Sequence, residues 1–117
     1  MNQTEILNSS DIETLKILAF FYFKVNLFDS CYRAVSVILK FDNKNVWAKG
    51  MLVRCCDRLM DYKHVIDHTE DMSFFNSNKS IQRSVLLLRA RALLKLGREV
   101  ESKQLIKFLT DSGRKAM

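Results

Sequence analysis

Proline is absent from this chain of 117 residues, and glycine occurs only at Gly50, Gly97 and Gly113. Because these residues shape the turns of sheet-rich and loop-rich proteins, their scarcity favours helices joined by short connections. No apolar run reaches the roughly 18 to 20 residues of a membrane span, and lysines flank the strongest one, residues 17–23. The first five residues lack the basic segment of a signal peptide. We therefore expect a soluble, cytoplasmic protein that does not engage a membrane.

Residues that carry catalysis or bind metals are also few. The three cysteines are odd in number and Cys55 and Cys56 are adjacent, so we interpret them as free packing thiols in a reducing compartment. His64 and His68 have a spacing at which two imidazoles can share a metal, but the glutamate of zinc peptidases is missing between them. Phosphate-binding loops and nucleophile motifs are missing too. We predict no metal site, no cofactor and no enzymatic activity.

The charge of the chain is unevenly distributed. Hydrophobic residues make up 48% and charged residues 27% of the chain, which indicates one folded domain over residues 1–117 and not a disordered protein. The net charge of +6 arises in residues 80–117, which hold nine basic and three acidic residues. The candidate residues for nucleic-acid binding are Arg83, Arg89, Arg91, Lys95, Arg98, Lys103 and Lys107. They are scattered over two predicted helices without interleaved aromatic residues, so nucleic-acid binding is only a less favoured alternative.

Three short segments repeat a pattern of a basic residue, an apolar residue and then a small or flexible one. Their centres, Asn26, Met60 and Gly97, lie 34 and 37 residues apart, close to the period of tetratricopeptide repeats, which is about 34 residues. Apolar residues recur at helical spacing on both sides of each centre. The pattern predicts helices over residues 11–25, 28–41, 45–60, 62–73, 80–96 and 99–111. We therefore predict an all-α fold of three tandem tetratricopeptide-like helix-turn-helix repeats, about 12–45, 46–79 and 80–112, in a short right-handed superhelix.

Helix-capping residues support these boundaries. Ser10 and Glu13 have the spacing of a capping box before the first helix. The other predicted caps are Asn43 or Asn45 for the third helix, Asp61 for the fourth, and Asn78 or Ser80 for the fifth. The three residues by which the second interval is longer are assigned to a polar loop over residues 73–80.

Three longer segments carry a more specific likeness: TLKILAFFYFKVNLFDSCYRAVSVILK (14–40), WAKGMLVRCC (47–56) and RSVLLLRARALLKLGR (83–98). With them the chain resembles, over residues 12–110, the YscG family of type III secretion chaperones. The resemblance implies a bacterial cytoplasmic protein, the tetratricopeptide-like member of a two-protein chaperone. It also implies two partners, a small helical co-chaperone and the needle subunit, whose amphipathic C-terminal helix is bound so that the subunit does not polymerise prematurely. A generic helical-repeat adaptor for another protein is the alternative.

The concave face of such an array is the expected binding site. In tetratricopeptide arrays, four positions on the first helix of each repeat usually line this groove. Here those positions are Glu13, Lys16, Phe20 and Phe23, then Trp47, Gly50, Arg54 and Asp57, then Ser84, Leu87, Arg91 and Leu94. An aromatic and apolar groove with a basic rim suits an amphipathic helix. From these positions we predict as partner-binding residues Lys16, Phe20, Phe23, Trp47, Arg54, Leu87, Arg91 and Leu94, although Leu87 and Leu94 are equally compatible with a buried core.

The first predicted helix is apolar on more than one face. Ile17, Phe20, Phe21 and Phe23 add to its core-facing stripe, and no earlier helix precedes it to cover them. A helix that is apolar all round needs cover on every side. We therefore predict that Ile17 and Phe21 also bind a partner, the co-chaperone, and that the isolated chain self-associates.

Overall fold

The computed structural model describes the backbone of residues 8–116 and the side chains of residues 8–111. Within this range the chain is helical and contains no strand, which confirms the all-α prediction. The helices are α1 (Ser9–Lys24), α2 (Phe28–Phe41), α3 (Val46–Arg58), α4 (Tyr62–His68), α5 (Lys79–Lys95) and α6 (Glu99–Ala116), with a 3₁₀ turn (Met72–Phe75) between α4 and α5. None of the described helices is long and apolar enough to cross a membrane.

Three turns of closely similar geometry join α1 to α2, α3 to α4 and α5 to α6. Their centres are Asn26, Met60 and Gly97, the described residues with positive φ, at 66°, 58° and 81°. In each turn the next amide donates to the carbonyl five residues before it, at 2.8 Å in all three cases. This bond and a second one, from the amide of the central residue to the carbonyl three residues before it, form a Schellman motif, which satisfies carbonyls at the end of the helix. The three repeat centres in the sequence are therefore three equivalent helix ends.

The predicted caps are confirmed for α3, α4 and α5 and wrong for α1. Asn45, Asp61 and Asn78 each accept a hydrogen bond from a backbone amide in the first turn of the helix that follows. At α1, however, the capping box consists of Asn8 and Asp11, each accepting from the amide of the other at 3.0 Å. The helix therefore begins before Ser10, and the predicted cap lies inside it.

The fourth helix is shorter than predicted, because it ends at His68 and not near residue 73. The buried hydroxyl of Thr69 donates to the carbonyls of Val65 and Ile66, at 2.7 and 3.2 Å, and competes with continued helical bonding. Asp71 then caps the separate 3₁₀ turn by accepting from the Ser73 amide. The segment predicted as a polar loop also contributes to the core, since Phe75 within it is fully buried.

Two hydrophobic clusters form the core, and α3 contributes to both. The first cluster joins α1, α2 and α3 and includes Ala19, Val35 and Ile38. The second joins α3, α4, the 3₁₀ turn and α5 and includes Val53 and Phe75. At the end of the chain, α6 packs on α5 through buried Leu109 and through Ser102, whose hydroxyl donates to the Ala90 carbonyl at 2.8 Å.

The three cysteines are free and buried within this core, as predicted. Cys31 and Cys55 belong to the first cluster, and Cys56 belongs to the second. Burial raises the pKa of the Cys56 thiol to about 11, so this group is protonated at neutral pH and behaves as a small apolar side chain.

Candidate functional site: a groove between α3 and α5

A cleft of about 800 Å³ opens between α3 and α5. The residues that line it are Trp47, Gly50, Met51, Arg54, Asp57 and Arg58 from α3, and Ser80, Ile81, Ser84, Val85, Leu87, Leu88 and Arg91 from α5. They recur as single residues or adjacent pairs every three or four positions, which places them along one face of each helix. Seven of the eight positions predicted for the groove in the second and third repeats are among them. Leu94 is the exception.

Gly50 allows α3 and α5 to approach closely at this cleft. A Cβ atom at this position would lie 2.8 Å from Cγ2 of Ile81, closer than real Cβ contacts allow. Glycine in a helix interior costs stability relative to alanine, by roughly 0.5 to 1 kcal/mol, so the close approach of the two helices offsets a local penalty. The backbone of α3 itself thus forms part of the groove wall.

Two arginines on the rim of the groove are stacked on aromatic rings. The Arg54 guanidinium lies 4.5 Å from the centroid of the Phe23 ring, and that of Arg58 lies 5.3 Å from the same ring and 5.9 Å from the Phe28 ring. Cation–π attraction of this kind restrains a long side chain whose charge remains accessible. The rim therefore presents positive charges that are already partly oriented.

Phe23 is buried in the first core cluster, although the sequence predicts it as a partner contact. Only 8% of its surface is exposed, because α2 and α3 pack around it. Phe23 therefore holds the Arg54 guanidinium through a cation–π contact and has too little exposed surface to anchor a partner directly. The amphipathic pattern of α1 did not reveal this, since apolar residues occur on several faces of that helix.

A carboxylate is buried in the groove wall at Asp57. Its side chain is only 3% exposed, and Oδ2 lies 3.4 Å from Nη1 of Arg91 across the cleft. Among the described residues, its second oxygen, Oδ1, has no hydrogen-bond partner. The Arg91 side chain is 59% exposed, so the pair joins a buried anion to a cation at the surface.

Of the other predicted contact residues, Trp47 and Leu87 line the cleft, whereas Lys16, Phe20 and Leu94 do not. Trp47 is half-buried in it, with the Lys16 ammonium 5.4 Å from its ring centroid. Leu87 and Leu94 are both half exposed, which excludes a fully buried position for either. Phe20 lies half exposed on α1, outside the residues that line the cleft.

Ile17 and Phe21 lie on α1 away from the cleft. Their exposed fractions are 69% and 57%, high values for large apolar side chains. Leu18, between them in the sequence, is 42% exposed and lines a smaller cleft of about 320 Å³ between α1 and α2. The apolar surface expected from the sequence is therefore present on α1.

Arg58 and Met51 line the groove but were not among the predicted site residues. The repeat template selects one narrow stripe of each first helix, whereas the cleft is wide enough to include the neighbouring positions. The four-residue spacing of Arg54 and Arg58 is the signal in the sequence that could have identified the second arginine.

Comparisons of the chain with protein-family models, with curated proteins and with solved structures gave no match. A functional interpretation of the groove therefore depends on its own geometry and on the sequence resemblance. Both of these concern the same two helices, since the quoted segments 47–56 and 83–98 contain most of the groove wall.

Several basic residues that the nucleic-acid alternative requires are engaged within the protein. Arg89 donates to the carbonyl of Ile66 at 3.1 Å and to the hydroxyl of Thr69 at 2.8 Å. Arg98 forms an ion pair with Glu101 at 2.7 Å, and Lys103 lies 3.4 Å from an oxygen of Glu99. Arg89 therefore links α5 to the end of α4, and the charges of Arg98 and Lys103 are paired with carboxylates. The basic residues of α5 and α6 thus do not form one continuous basic surface.

The two histidines of α4 also have protein partners. Nδ1 of His64 lies 2.6 Å from an oxygen of Asp61, and Nδ1 of His68 lies 3.1 Å from the Lys49 ammonium. The described residues include no group of three or more side chains placed to hold a metal ion. Although His64 and His68 have the spacing at which two imidazoles can share a metal, each contacts a different side chain, Asp61 and Lys49 respectively. The Lys49 ammonium is a cation that already faces His68.

Proposed function

We propose that this protein is a chaperone that binds an amphipathic helix of a client protein in the groove between α3 and α5. The observation that carries the proposal is the assembly of seven predicted groove residues around one cleft. Its apolar residues suit the apolar face of a helix, and its arginines suit acidic residues along the edge of that face. A cleft of about 800 Å³ that is open to solvent is also large enough for anchoring side chains.

The three equivalent turns support a tetratricopeptide-like array as the framework of this chaperone. Each repeat consists of a helix, a Schellman turn and a second helix, so α1, α3 and α5 are the three first helices. In a right-handed superhelical array of this kind the first helices line the concave face. The cleft between α3 and α5 is then part of that concave face.

The resemblance to the YscG family extends the proposal to the identity of the partners. We infer a bacterial cytoplasmic protein of type III secretion that protects the needle subunit from premature polymerisation. The small helical co-chaperone binds α1, where Ile17, Phe20 and Phe21 leave apolar surface exposed. Two partners thus occupy two separate surfaces of one small domain.

A separation of the two surfaces by mutation tests the proposal. The tagged chain is expressed in its native bacterium, captured at low salt and analysed by mass spectrometry. We expect two short helical proteins, one of them a needle-type subunit. Leu87→Asp in the groove should remove the client and retain the co-chaperone, whereas Phe21→Asp on α1 should remove the co-chaperone, because each substitution places a charge in an apolar interface.

Val100→Asp is the matched control, because Val100 is 70% exposed on α6, outside the groove and the α1 surface. It should leave both partners bound. Phe23→Ala belongs to a different class: it should lower the free energy of unfolding by about 3 kcal/mol, since Phe23 is buried. Loss of both partners in Val100→Asp, or retention of the client in Leu87→Asp, would contradict the assignment of the surfaces.

A further inference from the structure

The Asp57 carboxylate is incompletely satisfied where it lines the groove. Its contact with Arg91, at 3.4 Å, is longer than the roughly 2.7 to 2.9 Å of a strong charge-assisted hydrogen bond. Oδ1 has no partner among the described residues. Burying part of a carboxylate without a donor is costly, and this cost is recovered when a ligand supplies the donor.

The side chains around Asp57 do not supply that donor. Arg54 and Arg58 belong to the same wall, but their guanidinium groups are stacked over the rings of Phe23 and Phe28. Ser84 faces the cleft from α5 and makes no hydrogen bond with Asp57. The Asp57 side chain lines the cleft but Oδ1 itself is buried, so a donor on a client helix in the cleft reaches Oδ1 once rotation about the Cβ–Cγ bond turns it towards the cleft.

The charges of the groove restrict the chemistry of the donor. Arg54, Arg58 and Arg91 line the cleft together with the single carboxylate of Asp57. A lysine or arginine brought by the client would therefore enter a cleft whose lining already carries three cations against one anion, and like charges in a partly desolvated site repel each other. A wholly apolar helix face would leave Oδ1 unpaired. A neutral donor avoids both costs.

We propose that the groove selects a client helix that carries one neutral hydrogen-bond donor within its apolar face, an asparagine, glutamine, serine or threonine, which pairs with the Asp57 carboxylate once Oδ1 has turned towards the cleft. Asp57 is then a specificity-determining residue, which sets the register of the client in the groove. A single buried polar pair plays the same part in coiled coils, where it fixes register at some cost in stability. This inference depends on the proposed function, since it assumes a helix in the groove.

A set of synthetic peptides tests the inference without knowledge of the natural client. The parent peptide is an amphipathic helix of about 18 residues with a leucine face bordered by glutamates. Each derivative replaces one leucine of that face with asparagine, which has nearly the same shape. Affinities for the full chain and for Asp57→Leu are measured by fluorescence anisotropy, after circular dichroism has shown that the variant is folded.

We expect one register of asparagine to respond to Asp57. For that peptide, the affinity is divided by the affinity of the parent peptide for the same protein. This ratio should be about ten times larger for the native chain than for Asp57→Leu, the range expected of a hydrogen bond to a charged group. Asp57→Asn, which keeps the shape and removes the charge, should reduce this preference and provides the second variant if Asp57→Leu does not fold. Asp67→Leu, on the exposed surface of α4, should leave the preference unchanged.

The possible outcomes separate the inference from the proposed function. If every peptide binds and the ranking is the same for the native chain and both Asp57 variants, helix binding stands and the role of Asp57 is refuted. A lysine derivative that binds more tightly than the asparagine one would refute the neutral donor. If no peptide binds to the native chain, the groove is not a helix-binding site, and the proposed function fails together with the inference.

Discussion

Two buried polar atoms lack hydrogen-bond partners among the described residues, and they differ in their surroundings. One is Oδ1 of Asp57, a residue that lines the groove; the other is Nε2 of His68, a residue that does not. His68 is the last residue of α4 and accepts a hydrogen bond from Lys49 of α3, so its role is structural. A missing partner alone does not make a residue a candidate for recognising a client. Asp57 is a candidate because it also lines the groove.

His68 should make the stability of the fold depend on pH. Burial lowers its pKa below the ordinary value, and the positive charge of Lys49 and the nearby His64 lower it further. Because the folded-state pKa is lower than that of the unfolded chain, the unfolded chain takes up the proton first as the pH falls. The free energy of unfolding should therefore be fully retained above about pH 6.5 and decrease as the pH falls below that value.

Urea denaturation at pH 8, 7 and 6 measures this dependence above the range in which carboxylates titrate. His68→Gln keeps an acceptor for Lys49 and removes the titrating group, so its free energy of unfolding should change less over the same interval. A gain of stability between pH 8 and pH 6 that occurs in the native chain and not in His68→Gln would show that His68 is more readily protonated in the folded state, contrary to this account.

At the scale of single elements, the predicted boundaries are most accurate for helices whose ends depend on local interactions. α2 runs over the predicted residues 28–41 because a Schellman turn precedes it and a short connection follows. α4 departs from prediction because its end depends on Thr69 and on Phe75, which joins a core formed with other helices. Repeat periodicity alone carries no information about that packing.

The Schellman turns allow a matched pair of substitutions. Met60 has φ of 58° with its side chain exposed, so Met60→Gly removes backbone strain and little packing. It should raise the free energy of unfolding by about 1 kcal/mol. Gly97→Ala should lower it by about the same amount, since φ is 81° and a Cβ atom there would meet nothing within 4 Å.

Thermal or urea denaturation of both variants provides the measurement. Asn26→Gly is the internal control, with a smaller gain than Met60→Gly, because asparagine tolerates the left-handed conformation better than most residues do. Equal destabilisation by Met60→Gly and Gly97→Ala would mean that side-chain packing and not backbone strain governs these turns.

At the scale of the whole molecule, α1 exposes more large apolar side chains than any other helix within the described residues. Ile17, Phe20 and Phe21 are each about half exposed or more. Large exposed apolar patches on a small domain usually mark an interaction surface. The core beneath them is formed by α1, α2 and α3, so the exposed residues are not required to fill it.

We therefore expect the isolated chain to self-associate through α1. Analytical ultracentrifugation over a range of concentrations should show oligomers or aggregates for the native chain, and Ile17→Lys with Phe21→Lys should shift it towards a monomer with unchanged helical content. Val100→Lys on α6 should have no such effect, because it changes an exposed apolar residue elsewhere. A native chain that stays monomeric at high concentration would contradict the prediction.

The sequence by itself determined the helical class, the three turns and the stripe of groove residues on α3 and α5. Each of these depends on interactions within about six residues along the chain or on the helical period, both of which can be read from residue spacing. Asn26, Met60 and Gly97 are the clearest case, since the left-handed turn and its hydrogen bonds are local.

Only the tertiary structure decided which side chains are buried and which remain exposed. Phe23 and Leu87 are both apolar residues at predicted groove positions, yet packing buries the first and leaves the second half exposed. Asp57 was assigned to the groove from its register, but the missing partner of its Oδ1 depends on where Arg54, Arg58 and Arg91 lie in space. Burial and polar satisfaction arise from contacts between helices distant in sequence, and for that reason no local pattern encodes them.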